Sequence, residues 1–170
     1  EDVLITEEGI SYKELKENAS VATGSIRRCS QLLNLRPDLN IKDLRGNIET
    51  RLNKLREQDL DGMIMAHAAL VRLELNHVRY YGFSIGEMVP SVGQGAIGVQ
   101  IRVSDESTKQ VIKLISHQPT FDAITAERAF LNKLDSGCQF PVGSYARVDN
   151  DIITMIGFVG SDDGEKTYRN

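Results

Sequence analysis

Apolar positions along the first half of the chain occur either in short unbroken runs or at helical spacing. Four runs are typical of short buried strands, at 3–6, 21–23, 41–44 and 62–66. Apolar residues three or four positions apart predict helices over 25–35, from 47 onward and over 68–75, and a capping pattern predicts a short helix from 11. Strands that alternate with helices in this order predict a parallel α/β sheet with right-handed crossovers.

The second half of the chain has a different pattern. Residues 77–90 are irregular and rich in glycine, and the alternation over 96–103 predicts a strand. Two helices are predicted next, over 105–115 and 119–134, followed by strands at 144–148, 152–159 and 167–169. This half is therefore α+β. We expect its last domain to be cut short, because a strand is still under way at Asn170.

The composition is that of a soluble globular protein. Its net charge of −4 argues against general nucleic-acid binding, and no apolar run approaches the ~20 residues that span a bilayer. Residues 21–56 nevertheless hold eight basic and three acidic residues, whereas residues 1–20 hold two basic and six acidic residues. Two cysteines are too few for a disulfide scaffold, and we expect a reducing cytoplasm.

Arginines follow two of the predicted strands. The turn Thr23-Gly24-Ser25 leads into a helix that begins with Arg27 and Arg28, and a second arginine-rich helix start spans 45–51. Both should lie at the carboxyl edge of the sheet, where α/β proteins bind ligands and helix starts favour anions. The sequence indicates a polyanionic ligand here. Ordinary helix capping with surface arginines is the alternative. Arg72, on the next helix, is either a third ligand contact or a solvent-facing charge.

The run Gly93-Gln94-Gly95-Ala96-Ile97-Gly98 matches the dinucleotide fingerprint literally. That fingerprint must follow a strand and open a helix. Here Pro90 precedes the run and a strand-like alternation follows it, so we interpret the glycines as a tight loop that lets the backbone approach a ligand or a neighbouring domain.

Cys138, in the glycine-flanked segment Gly137-Cys138-Gln139, has three interpretations. It is a small buried side chain, a metal ligand, or a point of covalent attachment. The histidines show no ligand spacing, so we predict no metal site, and no histidine partner suggests a protease-like pair. Asp61, Glu127 and Asp135 are interpreted as turn and helix-surface charges.

Seven motifs together resemble one family, the porphobilinogen deaminases (hydroxymethylbilane synthases). Each is modest alone, but their order and gaps are specific, and the resemblance covers almost the whole chain. The motifs are Thr23-Gly24-Ser25-Ile26-Arg27-Arg28, Arg36-Pro37-Asp38-Leu39, Leu44-Arg45-Gly46-Asn47, Thr50-Arg51-Leu52, Gly93-Gln94-Gly95-Ala96, Ala126-Glu127-Arg128 and Gly137-Cys138-Gln139.

The resemblance implies a transferase of tetrapyrrole and heme biosynthesis. It would join four porphobilinogen units, with loss of ammonia, into linear hydroxymethylbilane on a dipyrromethane cofactor. Cys138 matches the cysteine that holds this cofactor through a thioether. The cofactor-binding positions of the family match Thr23, Ser25, Arg27, Arg28 and Arg51. The substrate-binding positions match Arg45, Asn47, Arg72 and Gln94. Acetate and propionate groups on every ring would explain the arginines.

The resemblance also implies a three-domain plan. Residues 1–90 would be most of a second domain, a parallel-sheet α/β unit like the type II periplasmic binding proteins. Residues 91–104 would return to a first domain, and residues 105–170 would begin a small α+β third domain that carries the cysteine loop. The complete protein is expected to be a cytoplasmic monomer whose partners are porphobilinogen and the growing polypyrrole, without nucleic acid or membrane.

The chain departs from the family pattern in several places. We find no counterpart of the first domain, which supplies the catalytic aspartate, so we expect this chain alone to be inactive. Gly24 and Ser136 stand where the family commonly has serine and glycine, Ala69 replaces a common glycine and Gln100 a common glutamate. A non-catalytic anion-binding module of the same fold is the alternative function, and a degenerate relative that has lost its activity is another.

Overall fold

A computed structural model describes residues 1–134 and 140–170. The first part holds the elements β1 Asp2–Ile5, β2 Ser20–Ala22, α1 Ile26–Leu35, β3 Asn40–Lys42, α2 Ile48–Glu57, β4 Gly62–Ala66, α3 His67–Arg72 and β5 Tyr80–Gly82. The second part holds α4 Glu106–Ile115, α5 Gln118–Lys133, β6 Val142–Asp149, β7 Ile152–Gly160 and β8 Thr167–Arg169. The mixed α/β class predicted from the pattern is confirmed.

The first five strands form one sheet in the order β3-β2-β4-β1-β5. Strand β2 lies parallel to β3 and β4, as predicted, but β1 runs antiparallel to both β4 and β5. The expectation of an all-parallel sheet is therefore wrong. An apolar run indicates a strand without giving its direction, and β1 leads into turns instead of a crossover helix.

Alternation along β1 builds a core on each face of this sheet. Leu4 points to one face and packs with Val21, Ile64 and Leu32 of helix α1. Its neighbours Val3 and Ile5 point to the other face, among residues that include Met63, Met65 and Leu44. Each fully buried aliphatic side chain contributes about 1.5–3 kcal/mol, so both faces are fixed in register.

Three local predictions are wrong. The capping pair forms at Ser11, whose N–H donates to Glu14 Oε2 at 2.9 Å, but the chain only turns there because a single turn is too short to propagate a helix. Residues 96–103 form no strand, since no partner strand lies beside them within the described ranges. The segment 77–90 was expected to be irregular, yet it contains β5, which pairs with β1.

Helix α5 and the antiparallel sheet β6-β7-β8 form the second layer. Gly157 allows this packing, because a Cβ there would lie 2.8 Å from the ring of Phe130. The layer docks on α1, where Asn34 Nδ2 donates to the Gly164 carbonyl at 3.1 Å. Helix α4, by contrast, has no buried residue among the described elements, and Leu114 is 85% exposed.

Candidate functional site: an arginine-rich edge of the sheet

The carboxyl ends of β2, β3 and β4 lie side by side at one edge of the sheet. Loops follow β2 and β3 from Thr23 and Asp43, and helix α3 follows β4 directly at His67. The prediction that the Thr23 turn and the helix start at 45–51 share an edge is therefore confirmed. Because β1 is antiparallel, its first residue, Asp2, lies at the same edge, opposite Ala66.

Asp2 is the centre of a buried cluster at this edge that was not predicted. Its Oδ1 accepts hydrogen bonds from Arg28 Nε at 3.0 Å and from Gln94 Nε2 at 3.0 Å, and its Oδ2 lies 2.8 Å from Arg27 Nη1. Burial raises the pKa of the Asp2 carboxyl, but the two guanidinium groups and the hydrogen bonds outweigh burial, so its pKa is lowered. The sequence signal that could have indicated this cluster was an acidic residue, Asp2, directly before the apolar run 3–6.

Arg27 is buried, with 5% of its side chain exposed. Its Nη1 donates to the Val89 carbonyl at 2.6 Å and its Nη2 to Gln94 Oε1 at 3.1 Å. Burial lowers the pKa of Arg27, and the neighbouring Asp2 carboxylate opposes that effect. Three of the predicted site residues, Arg27, Arg28 and Gln94, thus meet around an acid that the sequence did not indicate. Within this cluster, two buried atoms of the described residues have no hydrogen-bond partner: Nε of Arg27, and Oδ2 of Asp2, which makes only the ion pair with Arg27 Nη1.

Hydroxyl and amide side chains cap the two helices that start here. Ser25 is the N-cap of α1, and its hydroxyl accepts the Arg28 N–H at 3.4 Å. Thr23 is buried and accepts the Ser25 N–H at 3.3 Å. Asn47 caps α2 by accepting the Thr50 N–H at 2.8 Å. These contacts fix both helix starts, whose free amides and dipoles favour an anion.

The remaining predicted cations are more accessible. Arg45 is 87% exposed and pairs with Asp43, and Arg51 donates through Nε to the Gly46 carbonyl at 2.8 Å. Arg72 is exposed in the last turn of α3, with no hydrogen bond or ion pair in the described part of the chain. The structure brings Arg45, Asn47 and Arg51 together on the α2 side of the edge, while Arg72 lies in the last turn of α3, the helix that follows β4.

Cys138 and Asp135 lie outside the described residues, so their predicted roles stay predictions. The other cysteine, Cys29, is half-buried on α1, and burial followed by the nearby Asp162 raises the pKa of its thiol. A raised thiol pKa leaves little reactive thiolate at neutral pH. Cys29 is therefore a poor attachment point for a ligand.

Glu127 was interpreted as a helix-surface charge, and this is wrong. Only 3% of the residue is exposed. Its two carboxylate oxygens accept the Gly93 N–H at 2.7 Å and the Ala146 N–H at 2.8 Å. Glu127 therefore connects the loop that carries Gln94 to the second layer. Two backbone N–H groups take the place of the water that was expected to solvate its carboxylate. The Gly93 loop itself opens no helix, as predicted.

A cavity of about 900 Å³ lies near the opposite edge of the first sheet. Its lining mixes acids such as Glu7 and Glu14 with bases such as Lys16 and Arg79. Its five acids outnumber its three lysines and arginines, so this lining would repel a polyanion and the arginine-rich edge is the better candidate site.

Two family descriptions match the sequence. Residues 1–110 match the family described as "Porphobilinogen deaminase, dipyromethane cofactor binding domain". Residues 121–170 match "Porphobilinogen deaminase, C-terminal domain". The chain belongs to the porphobilinogen deaminase family.

Curated relatives agree with this family. The chain is 43% identical over 169 residues to the porphobilinogen deaminase of Chlorobium chlorochromatii (strain CaD3). The matched residues cover 99% of the chain and 54% of the relative. It is 44% identical over 170 residues to the porphobilinogen deaminase of Brevibacillus brevis (strain 47 / JCM 6285 / NBRC 100599), covering 99% of the chain and 55% of the relative. The chain thus spans about half the length of the curated relatives it matches. None of the helices in the described ranges combines the length and apolar character needed to cross a membrane.

Proposed function

We propose that the complete protein is a porphobilinogen deaminase, which joins four porphobilinogen units with release of ammonia into hydroxymethylbilane. The observation that carries this proposal is the arginine-rich edge in a chain of this family. There Asp2 balances only one of the two adjacent guanidinium groups of Arg27 and Arg28. A substrate with carboxylates on every ring suits that surplus of positive charge.

A dipyrromethane cofactor fits this donor set. When bound through the Cys138 thioether, it supplies the primer to which further pyrrole units are joined. Arg28 keeps a free edge for a carboxylate, the hydroxyls of Thr23 and Ser25 mark the start of α1, and Arg51 adds a cation from α2. The family match of residues 1–110 to a cofactor-binding domain supports this assignment.

The chain's own residues would bind and orient the growing product. Each Arg–carboxylate contact would stabilise it by about 1.5–3 kcal/mol. Arg45, Asn47, Arg72 and Gln94 are proposed to face the incoming porphobilinogen. The exposure of Arg45 and Arg72 supports that role, because their charges remain available to a ligand.

We also propose the domain plan 1–90, 91–104 and 105–170, with a type II periplasmic-binding-protein-like fold for the first unit. Three adjacent parallel strands with binding groups at their carboxyl ends support that fold. Exposed apolar side chains on 96–103, such as Ile97 at 80% and Val103 at 95%, support a return of this segment to a first domain. That domain would carry the catalytic aspartate, so this chain alone would not turn over substrate.

The intact denatured mass of the complete protein, compared with its Cys138→Ala variant, tests this function. We expect a mass excess equal to two linked porphobilinogen units in the wild type and none in the variant. A bare mass in both, persisting after incubation with porphobilinogen, would make Cys138 structural. The non-catalytic anion-binding module would then be the better description.

A further inference from the structure

The guanidinium group of Arg28 meets Asp2 along one edge only. Its Nε and Nη2 lie 3.0 and 2.8 Å from the same oxygen, Asp2 Oδ1. Its third nitrogen, Nη1, has no hydrogen-bond partner within the described ranges, and 14% of the side chain is exposed. Because the guanidinium is a rigid planar fork, Asp2 fixes its orientation and leaves one edge for another acceptor.

Arg27 presents no such edge. Its two terminal nitrogens are engaged by Asp2, the Val89 carbonyl and Gln94, and its side chain is buried. Two guanidinium groups share one carboxylate, so one positive charge is left uncompensated in the cluster. That charge is accessible only through Arg28, beside the positive end of the α1 dipole.

We propose that Asp2 is a positioning residue that makes the Arg27–Arg28 pair a site for a single ligand carboxylate. Asp2 occupies the place between the two guanidinium groups that a second carboxylate would take, and it holds the free edge of Arg28 toward the ligand. This inference rests on the proposed function, since it assigns that edge to one acetate or propionate group of a pyrrole.

A purely electrostatic role for Asp2 predicts the opposite effect on ligand affinity. Replacing the carboxylate by a neutral group raises the positive charge of the cluster, and this charge alone would strengthen the binding of an anion. The positioning role predicts weaker binding, because the Arg28 fork loses the partner that orients it. The sign of the change therefore separates the two roles.

The test uses acetate as the probe and the complete protein in a Cys138→Ala background, which carries no covalently held pyrrole. Arginine Nε–Hε signals are followed by nuclear magnetic resonance during the acetate titration. In the background protein, we expect a single acetate to bind while the Arg28 Nε–Hε signal stays at its Asp2-bound position. In Asp2→Asn, we expect about tenfold weaker acetate binding, the equivalent of one charge-assisted hydrogen bond.

Asp38→Asn is the matched control, since Asp38 also pairs with an arginine, Arg36, but belongs to a different loop. It should leave acetate affinity unchanged. Equal or tighter acetate binding by Asp2→Asn would overturn the proposal. So would displacement of Asp2 by acetate in the background protein, seen as movement of the Arg28 Nε–Hε signal, a measurement that needs no Asp2 variant to fold.

The two proposals fail differently. A wild-type mass without attached pyrrole, together with the expected acetate results, would reject the proposed function and keep Asp2 as the residue that sets the anion site. An attached dipyrromethane with tighter acetate binding in Asp2→Asn would keep the function and reject the positioning role.

Discussion

The side-chain amide of Gln31 pairs with both main-chain polar groups of Val89. The Val89 N–H donates to Gln31 Oε1 at 2.8 Å, and Gln31 Nε2 donates to the Val89 carbonyl at 3.0 Å. Both residues are fully buried. Gln31 thus gives Val89 the two bonds that a neighbouring strand would give, and α1 holds the segment that leads to Gln94.

Replacing Gln31 by methionine should destabilise the protein by about 2 kcal/mol, because the buried Val89 N–H then loses its partner. The free energy of unfolding in urea measures this change. Gln118→Met is the matched control, since the Gln118 side chain is exposed and, in the described part of the chain, hydrogen-bonds only to Asp122. Equal urea midpoints for the two variants would show that the hydrogen bonds between Gln31 and Val89 make no net contribution to the free energy of unfolding.

Gly143→Ala should cost about 1–3 kcal/mol through overpacking. A Cβ at this position would lie 2.8 Å from the carbonyl oxygens of Val89 and Pro90, and neither main-chain group can move without disturbing the docked segment. Gly98→Ala is the control, because nothing lies within 4 Å of a Cβ there. Thermal unfolding of both variants checks the prediction, and a Gly143→Ala midpoint no lower than that of Gly98→Ala would contradict it.

Arg51→Ala should lower the fraction of complete protein that carries the cofactor mass while the fold keeps its stability. Among the described residues, the half-buried Arg51 side chain hydrogen-bonds only to the Gly46 carbonyl, so its loss removes ligand contacts without opening a core. Arg56→Ala, on the same helix α2, lines the cavity at the opposite edge and should retain the cofactor normally. Equal retention in both variants would remove Arg51 from the site.

Arg27→Met should instead destabilise the fold by about 3–5 kcal/mol, because it breaks a buried ion pair at Asp2 and removes one of the two hydrogen bonds that the Val89 carbonyl accepts. Chemical denaturation of the Cys138→Ala protein isolates this loss from any effect of bound pyrrole. The exposed Arg102 provides the control variant Arg102→Met. A change of less than about 1 kcal/mol would mean that Arg28 and Gln94 alone satisfy the buried Asp2 carboxylate.

The pair between Arg36 and Asp38 should make stability depend on acid pH. Hydrogen bonds from Arg36 lower the pKa of Asp38 to about 2 from its ordinary 3.8. A lowered folded-state pKa stabilises the fold above the unfolded pKa, and this contribution disappears as the pH falls from about 4 through about 2. Titration of the Asp38 carboxylate by nuclear magnetic resonance, with Arg36→Gln returning its pKa toward 3.8, checks the sign. An unchanged Asp38 midpoint in Arg36→Gln would contradict it.

Local pattern predicted much of the first unit. Strand β4 was expected at 62–66 and is found at Gly62–Ala66, and the helix expected over 25–35 begins at Ile26 after its Ser25 cap. The shared edge for Thr23 and Asn47 was also predicted, since carboxyl ends of parallel strands meet. Periodicity and capping depend on neighbouring residues, which is why the sequence alone determined these features.

Tertiary structure decided the partners of the buried charges. Asp2 meets Gln94 across 92 positions of sequence, and Glu127 reaches Gly93 across 34. No local pattern encodes such contacts, because they depend on the antiparallel direction of β1 and on how the second layer docks against α1. The sequence by itself determined the arginines, strands β1 to β4 and the family. Only the packing of distant segments determined that Arg27 is buried against Asp2 while Arg28 keeps an edge open for a ligand.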